Sequence, residues 1–209
     1  MPAEAASESE VREGNQCTLA LSALAARMRP TRTIALVGLM GAGKSAIGKR
    51  LANLLNLPFR DADHEIEIAA GRSVSDIFSE RGEAEFRRGE RQVLARLLRQ
   101  PLHVLATGGG AFMDESTRAL MRDCAVSIWL KADVDTLFKR VSRRSTRPLL
   151  RTADPRGTLE GMLAQRAPIY ALADLHVDSV AGPPGRTLEL VLLALDRYFS
   201  SPPAQSEPA

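Results

Sequence analysis

Gly38-Leu-Met-Gly-Ala-Gly-Lys-Ser45 has the spacing of a phosphate-binding loop, with a glycine, four further residues and then Gly-Lys-Ser. The run 33–37 before it is apolar and strand-like, and the apolar residues after it recur at helical spacing. Backbone N–H groups of such a loop and the positive end of the next helix converge on one anion. Lys44 can reach the β- and γ-phosphates, and the Ser45 hydroxyl can ligate Mg²⁺. The motif predicts a nucleoside triphosphate site but does not identify the phosphate acceptor.

The composition is that of a globular chain with one domain and short appendages. Of 209 residues, 44% are apolar and 25% are charged, which is enough for a sizeable core. The acidic N-terminus is unlike a targeting signal, and no apolar run approaches the roughly 18 residues of a membrane span. The basic remainder suits anionic substrates, although RNA or anionic lipid would also fit. Two scattered cysteines, Cys17 and Cys124, favour a reducing cytoplasm over a disulfide framework.

Strand-like runs alternate with helical patterns along the chain. We expect strands at 33–37, 57–60, 102–106, 125–130 and 175–178, with helices between them. This alternation predicts a three-layer α/β fold, in which a five-stranded parallel sheet carries helices on both faces. We assign residues 31–200 to the domain and residues 201–209 to a disordered tail. Residues 1–30 are expected to be disordered or to form a short helix, and to be dispensable.

Two aspartates follow the second predicted strand. Asp61 and Asp63 are alternate residues of a segment expected to be extended, so both carboxylates can face the phosphate loop. One could hold Mg²⁺ through water while the other accepts a hydroxyl proton from the phosphate acceptor. The alternative is a helix cap plus a solvated acid. A position opposite a nucleotide loop favours the catalytic interpretation.

Further anion contacts are predicted outside the phosphate loop. Arg87 and Glu90 lie three residues apart on a predicted helix, so they can pair, and a fixed arginine can bind a carboxylate bidentately. A solvated charged face is the alternative. The run 108–110 is three glycines after the third strand, which close approach of a ligand or a tight turn would explain. Arg166 adds one more possible anion contact.

Seven cations and one acid lie between Lys139 and Arg156. Such a block repels itself unless something anionic is present, which indicates either a mobile lid over phosphates or a nucleic-acid patch. Because no aromatic residues are interleaved, we favour a lid at about residues 142–157.

Taken together, these motifs resemble the shikimate kinase family. GLMGAGKSAIGKRLA, DAD, GRSVSDIFSERGEAEFRRGE, GGG, RPLL and RAPIY occur in the family's order over about residues 33–178. The resemblance implies a P-loop kinase of the nucleoside-monophosphate-kinase-like fold that phosphorylates the 3-hydroxyl of shikimate with ATP, in aromatic amino-acid biosynthesis. It also implies Mg²⁺ with the ATP, a monomer in the cytoplasm, and no nucleic-acid or membrane partner.

The resemblance also implies roles for individual residues. Catalysis would depend on Lys44, Asp63 and Arg147. ATP would be bound by Gly41, Ala42, Gly43, Lys44, Ser45, Ala46, Arg140 near the adenine, and Arg147 in the lid. Shikimate would be bound by Asp63, Arg87, Gly108, Gly109, Gly110 and Arg166. The metal would be held by Ser45 and, through water, by Asp61.

The sequence departs from the family pattern in two places. Ala46 replaces the usual threonine, which removes a hydroxyl beside the α-phosphate. Segment 179–185 contains no arginine where the family often has adenine-loop arginines, so only backbone contacts to adenine are expected there.

Two alternatives stay open. A kinase for another hydroxy acid, such as gluconate, would share the loop but not the set of Arg87, Gly109 and Arg166. A non-catalytic nucleotide-binding module would tolerate loss of Lys44, Asp63 or Arg147, and the chain retains all three.

Overall fold

The structure is a computed structural model that describes residues 20–142 and 154–200. Five parallel strands form its centre. They are ordered β2-β3-β1-β4-β5 in one sheet, which confirms the predicted fold class. The strands are β1 (Thr33–Val37), β2 (Phe59–Asp61), β3 (Val104–Ala106), β4 (Ala125–Lys131) and β5 (Leu175–Asp178). Ile34 of β1 pairs with Val104 on one side and Val126 on the other. The order places the loop after β3 between the loops that follow β1 and β2.

Helices surround this sheet. They are α1 (20–27), α2 (Lys44–Leu55), α3 (Ala62–Ala70), α4 (Val74–Leu98), α5 (Glu115–Cys124), α6 (Val134–Val141), α7 (Pro155–Tyr170) and α8 (Pro184–Ser200), with a 3-10 turn at Ala111–Met113. All residues of β1 and β3 are buried, and alternate residues of a strand point to opposite faces, so both faces of the sheet are covered. Within residues 20–142 and 154–200, no helix has both the length and the apolar character to cross a membrane.

Several element boundaries differ from the sequence-based expectation. Strand β2 starts at Phe59 because the Leu57 N–H donates to the Ala52 carbonyl and so still belongs to the end of α2. Helix α7 starts at Pro155, inside the segment expected to form the lid, because Asp154 caps it by accepting from the Gly157 N–H at 2.9 Å. The end of the expected lid is therefore helical, and residues 143–153 of it lie outside the described part of the chain.

Helix α4 contains an interruption. Gly82 has φ 77° and ψ 172°, a conformation that glycine adopts far more readily than other residues, and it divides α4 into two helical segments. The second segment carries Arg87 and Glu90 and therefore has its own direction relative to the sheet.

Helix α1 packs on the domain through its apolar face. Ala25 and Met28 are 4% and 6% exposed, and Leu21 and Leu24 pack against the same core. Arg27 adds an exposed ion pair to Asp196 of α8 at 3.2 Å, which contributes little to stability. This packing argues against the expected dispensability of residues 1–30.

A chain that begins at Thr31 is expected to melt at a lower temperature than the full chain. Loss of the buried surface of Ala25 and Met28 removes about 2 kcal/mol, which corresponds to roughly 4–8 °C for a domain of this size. Differential scanning calorimetry measures the shift, and a chain that begins at Ala20 keeps α1 and serves as the control. An unchanged melting temperature in the Thr31 chain would show that α1 adds no stability.

Candidate active site

The phosphate loop connects β1 to α2 and leaves the start of α2 open. Helices α3 to α7 each begin with an aspartate or serine side chain that accepts a backbone N–H. Helix α2 instead begins after Gly43, at φ 96°, and has no side-chain cap. Its first backbone N–H groups are thus left for an anion, as a phosphate site requires.

Lys44 lies over the loop that precedes it. Its Nζ donates to the carbonyl oxygens of Gly38 at 2.8 Å and Leu39 at 3.1 Å, and the side chain is buried. These contacts hold the ammonium group at the wall of a cavity of about 350 Å³. A positive charge held beside the open end of α2 can act on phosphate oxygens.

Most residues predicted to bind ATP line this first cavity, which we call the nucleotide cavity. They are Gly41, Gly43, Lys44, Ser45, Ala46 and Arg140. Ala42 lies beside the wall, since it is 1% exposed and its carbonyl accepts from the Ser179 hydroxyl at 2.8 Å. Arg147 falls outside the described residues.

Arg140 connects the phosphate loop to the segment after β5. Its Nη1 donates to the Ser179 hydroxyl at 2.8 Å and to the Gly41 carbonyl at 3.3 Å, and its Nη2 donates to the Val180 carbonyl. Sequence reasoning did not identify Ser179 as a site residue. The signal was available, because Ser179 directly follows the carboxyl end of β5, as the other site residues follow their own strands.

Ser45 and Asp61 are in direct contact. The Ser45 hydroxyl donates to Asp61 Oδ2 at 2.6 Å, while Asp61 Oδ1 accepts the Asp63 N–H and so caps α3. Asp63 is therefore in the first turn of a helix, and the expectation of an extended Asp61–Asp63 segment is wrong. The helix begins at Ala62 because the Asp61 cap satisfies an N–H group there.

A second cavity, of about 550 Å³, lies next to the nucleotide cavity, and we call it the acceptor cavity. It contains the residues predicted to bind shikimate, which are Asp63, Arg87, Gly108, Gly109, Gly110 and Arg166. Phe78, Phe86 and Met40 add apolar surface. Asp63 and Gly109 line both cavities, so the two spaces meet at these residues.

Arg87 is fixed by carboxylates on its own helix, as its spacing predicted. Nη1 donates to Glu90 at 2.6 Å and Nη2 donates to Glu83 at 3.1 Å. Glu90 is 2% exposed. Burial raises the pKa of Glu90, and the Arg87 charge opposes that shift. Burial alone would lower the pKa of Arg87, but Glu90 and then Glu83 more than offset this, so the pKa of Arg87 is raised and its guanidinium stays charged.

Two of the three glycines after β3 are explained by side chains that approach them. A Cβ on Gly110 would lie 2.5 Å from Arg87 Nη1, and one on Gly108 would lie 2.6 Å from Glu90 Oε1 and 2.9 Å from Asp63 Oδ1. Any larger residue would displace these groups. At Gly108 and Gly110 the protein's own side chains make a close approach, and the approach of a ligand stays a prediction.

Arg166 and Tyr170, from the last turns of α7, meet at one carbonyl. Arg166 Nη1 donates to the Gly109 oxygen at 3.2 Å, and the Tyr170 hydroxyl donates to the same oxygen. Tyr170 was not singled out in the sequence, because a tyrosine at helical spacing gives no local sign of a partner 61 residues away.

The fold and the phosphate loop are those of a P-loop phosphotransferase, and a second cavity lined by Arg87 and Arg166 joins the cavity at that loop. A family model described as shikimate kinase matches residues 40–194. The chain belongs to the shikimate kinase family.

Individual relatives agree with this assignment. The shikimate kinase of Caulobacter vibrioides is 58% identical over 164 residues, which cover 78% of this chain and 82% of the relative. That of Brucella canis is 54% identical over 147 residues, covering 70% and 74%. The solved shikimate kinase of Acinetobacter baumannii, in complex with shikimate, superposes with a TM-score of 0.78 at 34% identity, over 81% of this chain and 96% of that chain. A Sinorhizobium meliloti gluconokinase, at 19% identity and a TM-score of 0.59, shares the fold alone.

Proposed function

We propose that the protein transfers the γ-phosphoryl group of ATP to the 3-hydroxyl of shikimate, giving shikimate 3-phosphate and ADP. One observation carries this proposal: the nucleotide cavity and the acceptor cavity meet at Asp63 and Gly109. The relatives at 54 to 58% identity are shikimate kinases, which supports the choice of acceptor.

On the ATP side, the protein supplies positive potential where phosphate charge develops. The uncapped N–H groups at the start of α2 face the phosphates, and Lys44 exchanges its contacts with loop carbonyls for phosphate oxygens. Arg140 holds the β5–α8 segment against the phosphate loop, next to the adenine. Ala46 contributes only its backbone N–H at the α-phosphate. We assign Arg147, from the family resemblance, to a contact with ATP from the lid.

Ser45 and Asp61 provide a fitting site for Mg²⁺. A hydroxyl and a carboxylate in contact at 2.6 Å are the hard oxygen ligands that this ion prefers, with Asp61 acting through a bound water. When bound with ATP, the ion would neutralise charge on the β- and γ-phosphate oxygens. The Asp61 cap of α3 keeps this carboxylate in place, since it also accepts the Asp63 N–H.

On the acceptor side, different residues bind the two ends of the substrate. Arg87 and Arg166 bind the carboxylate, and the apolar wall of Phe78 and Phe86 accommodates the ring. Asp63 binds the substrate hydroxyls at the other end. The backbone of Gly109, which lies between Gly108 and Gly110, contacts this hydroxyl end as well. The 3-hydroxyl oxygen forms a bond to the γ-phosphorus, ADP leaves, and Asp63 accepts the hydroxyl proton.

We further propose that the protein works as a monomer in the cytoplasm, with ATP and shikimate as its small-molecule partners. The support for a monomer is that the described residues of this one chain line both cavities. Light scattering at the enzyme concentration of the assay tests the monomer.

Product analysis tests the proposed reaction. The protein is incubated with ATP, Mg²⁺ and shikimate. The product is examined by ³¹P NMR, in which coupling between phosphorus and the ring protons of shikimate is measured. We expect a phosphate monoester coupled to the proton at carbon 3. Inorganic phosphate alone, or an ester at another carbon, would contradict the proposal.

Arg87→Lys is expected to lower kcat/KM for shikimate by roughly 10²-fold, because lysine is a point charge that cannot make the paired contact with a carboxylate. The KM for ATP should change little, because Arg87 lines only the acceptor cavity. Steady-state kinetics on shikimate and on its neutral amide measure the effect, and the variant should lose far less on the amide.

Arg88→Lys is the matched control for this substitution. Arg88 is 64% exposed and pairs with Glu85 at 2.6 Å away from the cavity, so its replacement should leave kcat/KM unchanged. Equal losses of Arg87→Lys on shikimate and on the amide would mean that Arg87 supports the fold and that the carboxylate has another partner.

A further inference from the structure

Tyr170 carries a buried hydroxyl group beside Gly109, which lines the acceptor cavity, and the proposed reaction gives this hydroxyl no role. It is 0% exposed, and its hydroxyl donates to the Gly109 carbonyl, the same oxygen to which Arg166 donates. Burial raises the pKa of Tyr170 to about 12, against the opposing charge of Arg166. The phenol therefore stays protonated, as a hydrogen-bond donor, throughout the neutral pH range.

The carbonyl that Tyr170 holds belongs to the peptide between Gly109 and Gly110. Both arginines of the acceptor cavity lie beside this peptide. Arg166 donates to its oxygen, and Arg87 lies so close to Gly110 that a Cβ there would be 2.5 Å from the guanidinium. When the plane of this peptide is fixed, the Gly109 oxygen and Gly110 are fixed as well, and the two guanidinium groups lie beside them.

The same glycine segment also touches the phosphate loop. A Cβ on Gly109 would lie 3.4 Å from the Met40 nitrogen and 3.9 Å from the Gly38 oxygen. A shift of the Gly109–Gly110 peptide would thus alter the spacing between the donor loop and the acceptor cavity.

The aromatic ring of Tyr170 is anchored independently of its hydroxyl. It stacks on Trp129 with a centroid distance of 5.8 Å, and Trp129 in turn lies against Gly38 of the phosphate loop. Removing only the hydroxyl should therefore leave the ring in place and the domain folded, so the effect of the hydrogen bond can be measured by itself.

We propose that Tyr170 is a positioning residue for the acceptor, whose hydroxyl fixes the Gly109–Gly110 peptide and thereby sets the placement of Arg87 and Arg166 around the substrate carboxylate. This inference rests on the proposed function and deepens it. Without the phenol hydroxyl, Arg166 is the remaining donor to the Gly109 oxygen among the described residues. The Gly109 oxygen then competes with the substrate carboxylate for the Arg166 guanidinium.

Tyr170→Phe tests this role. We expect kcat/KM for shikimate to fall about tenfold, mainly through a higher KM for shikimate, while kcat and the KM for ATP stay within about twofold. Isothermal titration of shikimate should show the same weakening. The melting temperature should stay within a few degrees of that of the parent chain.

The chain offers a matched control in its second tyrosine. Tyr198 lies on α8, where its ring contacts Phe199, outside both cavities. Tyr198→Phe removes the same hydroxyl and should leave every kinetic constant unchanged. A double variant with Arg166→Lys adds a coupling test: if Tyr170 acts through Arg166, the two losses should combine to less than their product.

The outcomes separate the two proposals. A parent chain that does not phosphorylate shikimate overturns the proposed function and this inference with it. A parent chain that does so, with Tyr170→Phe unchanged in its KM for shikimate, overturns the positioning role alone. Equal increases in both KM values, or an unfolded Tyr170→Phe chain, would also contradict it, because either result would make Tyr170 a general structural group.

Discussion

Lys44→Ala is expected to lower kcat by about 10³-fold at saturating ATP and shikimate. The lysine places a charge at the wall of the nucleotide cavity, beside the uncapped end of α2, where charge develops on the phosphoryl group in transit. Removal of one preorganised donor of this kind costs on the order of 3–4 kcal/mol in the transition state. Coupled measurement of ADP release gives kcat directly.

Lys49→Ala is the matched control for the lost charge. Lys49 belongs to the same helix but is exposed, with its ammonium group 5.9 Å from the centre of the Phe59 ring. Its replacement should leave kcat within about twofold of the parent value. If Lys44→Ala retains more than about a tenth of the parent activity, the amine is not a main source of transition-state stabilisation.

Asp63→Asn is expected to lower kcat by roughly 10²–10⁴-fold while ATP still binds with its parent affinity. The substitution keeps the size of the side chain but removes the charge that we propose positions the acceptor and takes its proton. Asp63 lines both cavities, yet the phosphate contacts proposed above come from Lys44 and the loop backbone. Calorimetric titration with ATP in the absence of shikimate separates binding from turnover.

Asp61→Asn provides the contrast that tests the division of labour between the two aspartates. Because Asp61 contacts the Ser45 hydroxyl, its replacement should raise the Mg²⁺ concentration needed for half-maximal activity, whereas Asp63→Asn should not. Loss of ATP affinity in Asp63→Asn would show that this carboxylate acts on the nucleotide side as well, and the assignment of roles would be wrong.

Features that depend on local spacing could be read from the sequence. The bounds of β1 and β5 agree with the expectation, and so does the pairing of Arg87 with Glu90, since all of these follow from residues a few positions apart. The phosphate loop, the aspartates and the glycines each follow the carboxyl end of a strand, which is where ligands of parallel sheets lie.

Contacts between distant segments could not be read in this way. Tyr170 and Gly109 are 61 residues apart, and Arg140 and Ser179 are 39 apart, so their hydrogen bonds depend on how helices and loops pack. The glycines at 108 and 110 were explained by close approach of a ligand or by a tight turn, and no local pattern indicates that Glu90, Asp63 and Arg87 approach them. Residues 1–30 were expected to be dispensable because their composition is acidic and aperiodic and Pro30 precedes β1, but the packing of α1 on the core depends on contacts that local sequence does not reveal.

The choice of acceptor is the central claim, and a panel of acceptors tests it most directly. Acceptor-dependent ADP release is measured with shikimate, quinate, gluconate and AMP under identical ATP and Mg²⁺ concentrations. The arginine pair and Asp63 at the junction of the cavities predict a kcat/KM for shikimate at least about 10²-fold above that of each other compound. Equal or faster turnover of gluconate or AMP, or ADP release that does not depend on any acceptor, would contradict the account.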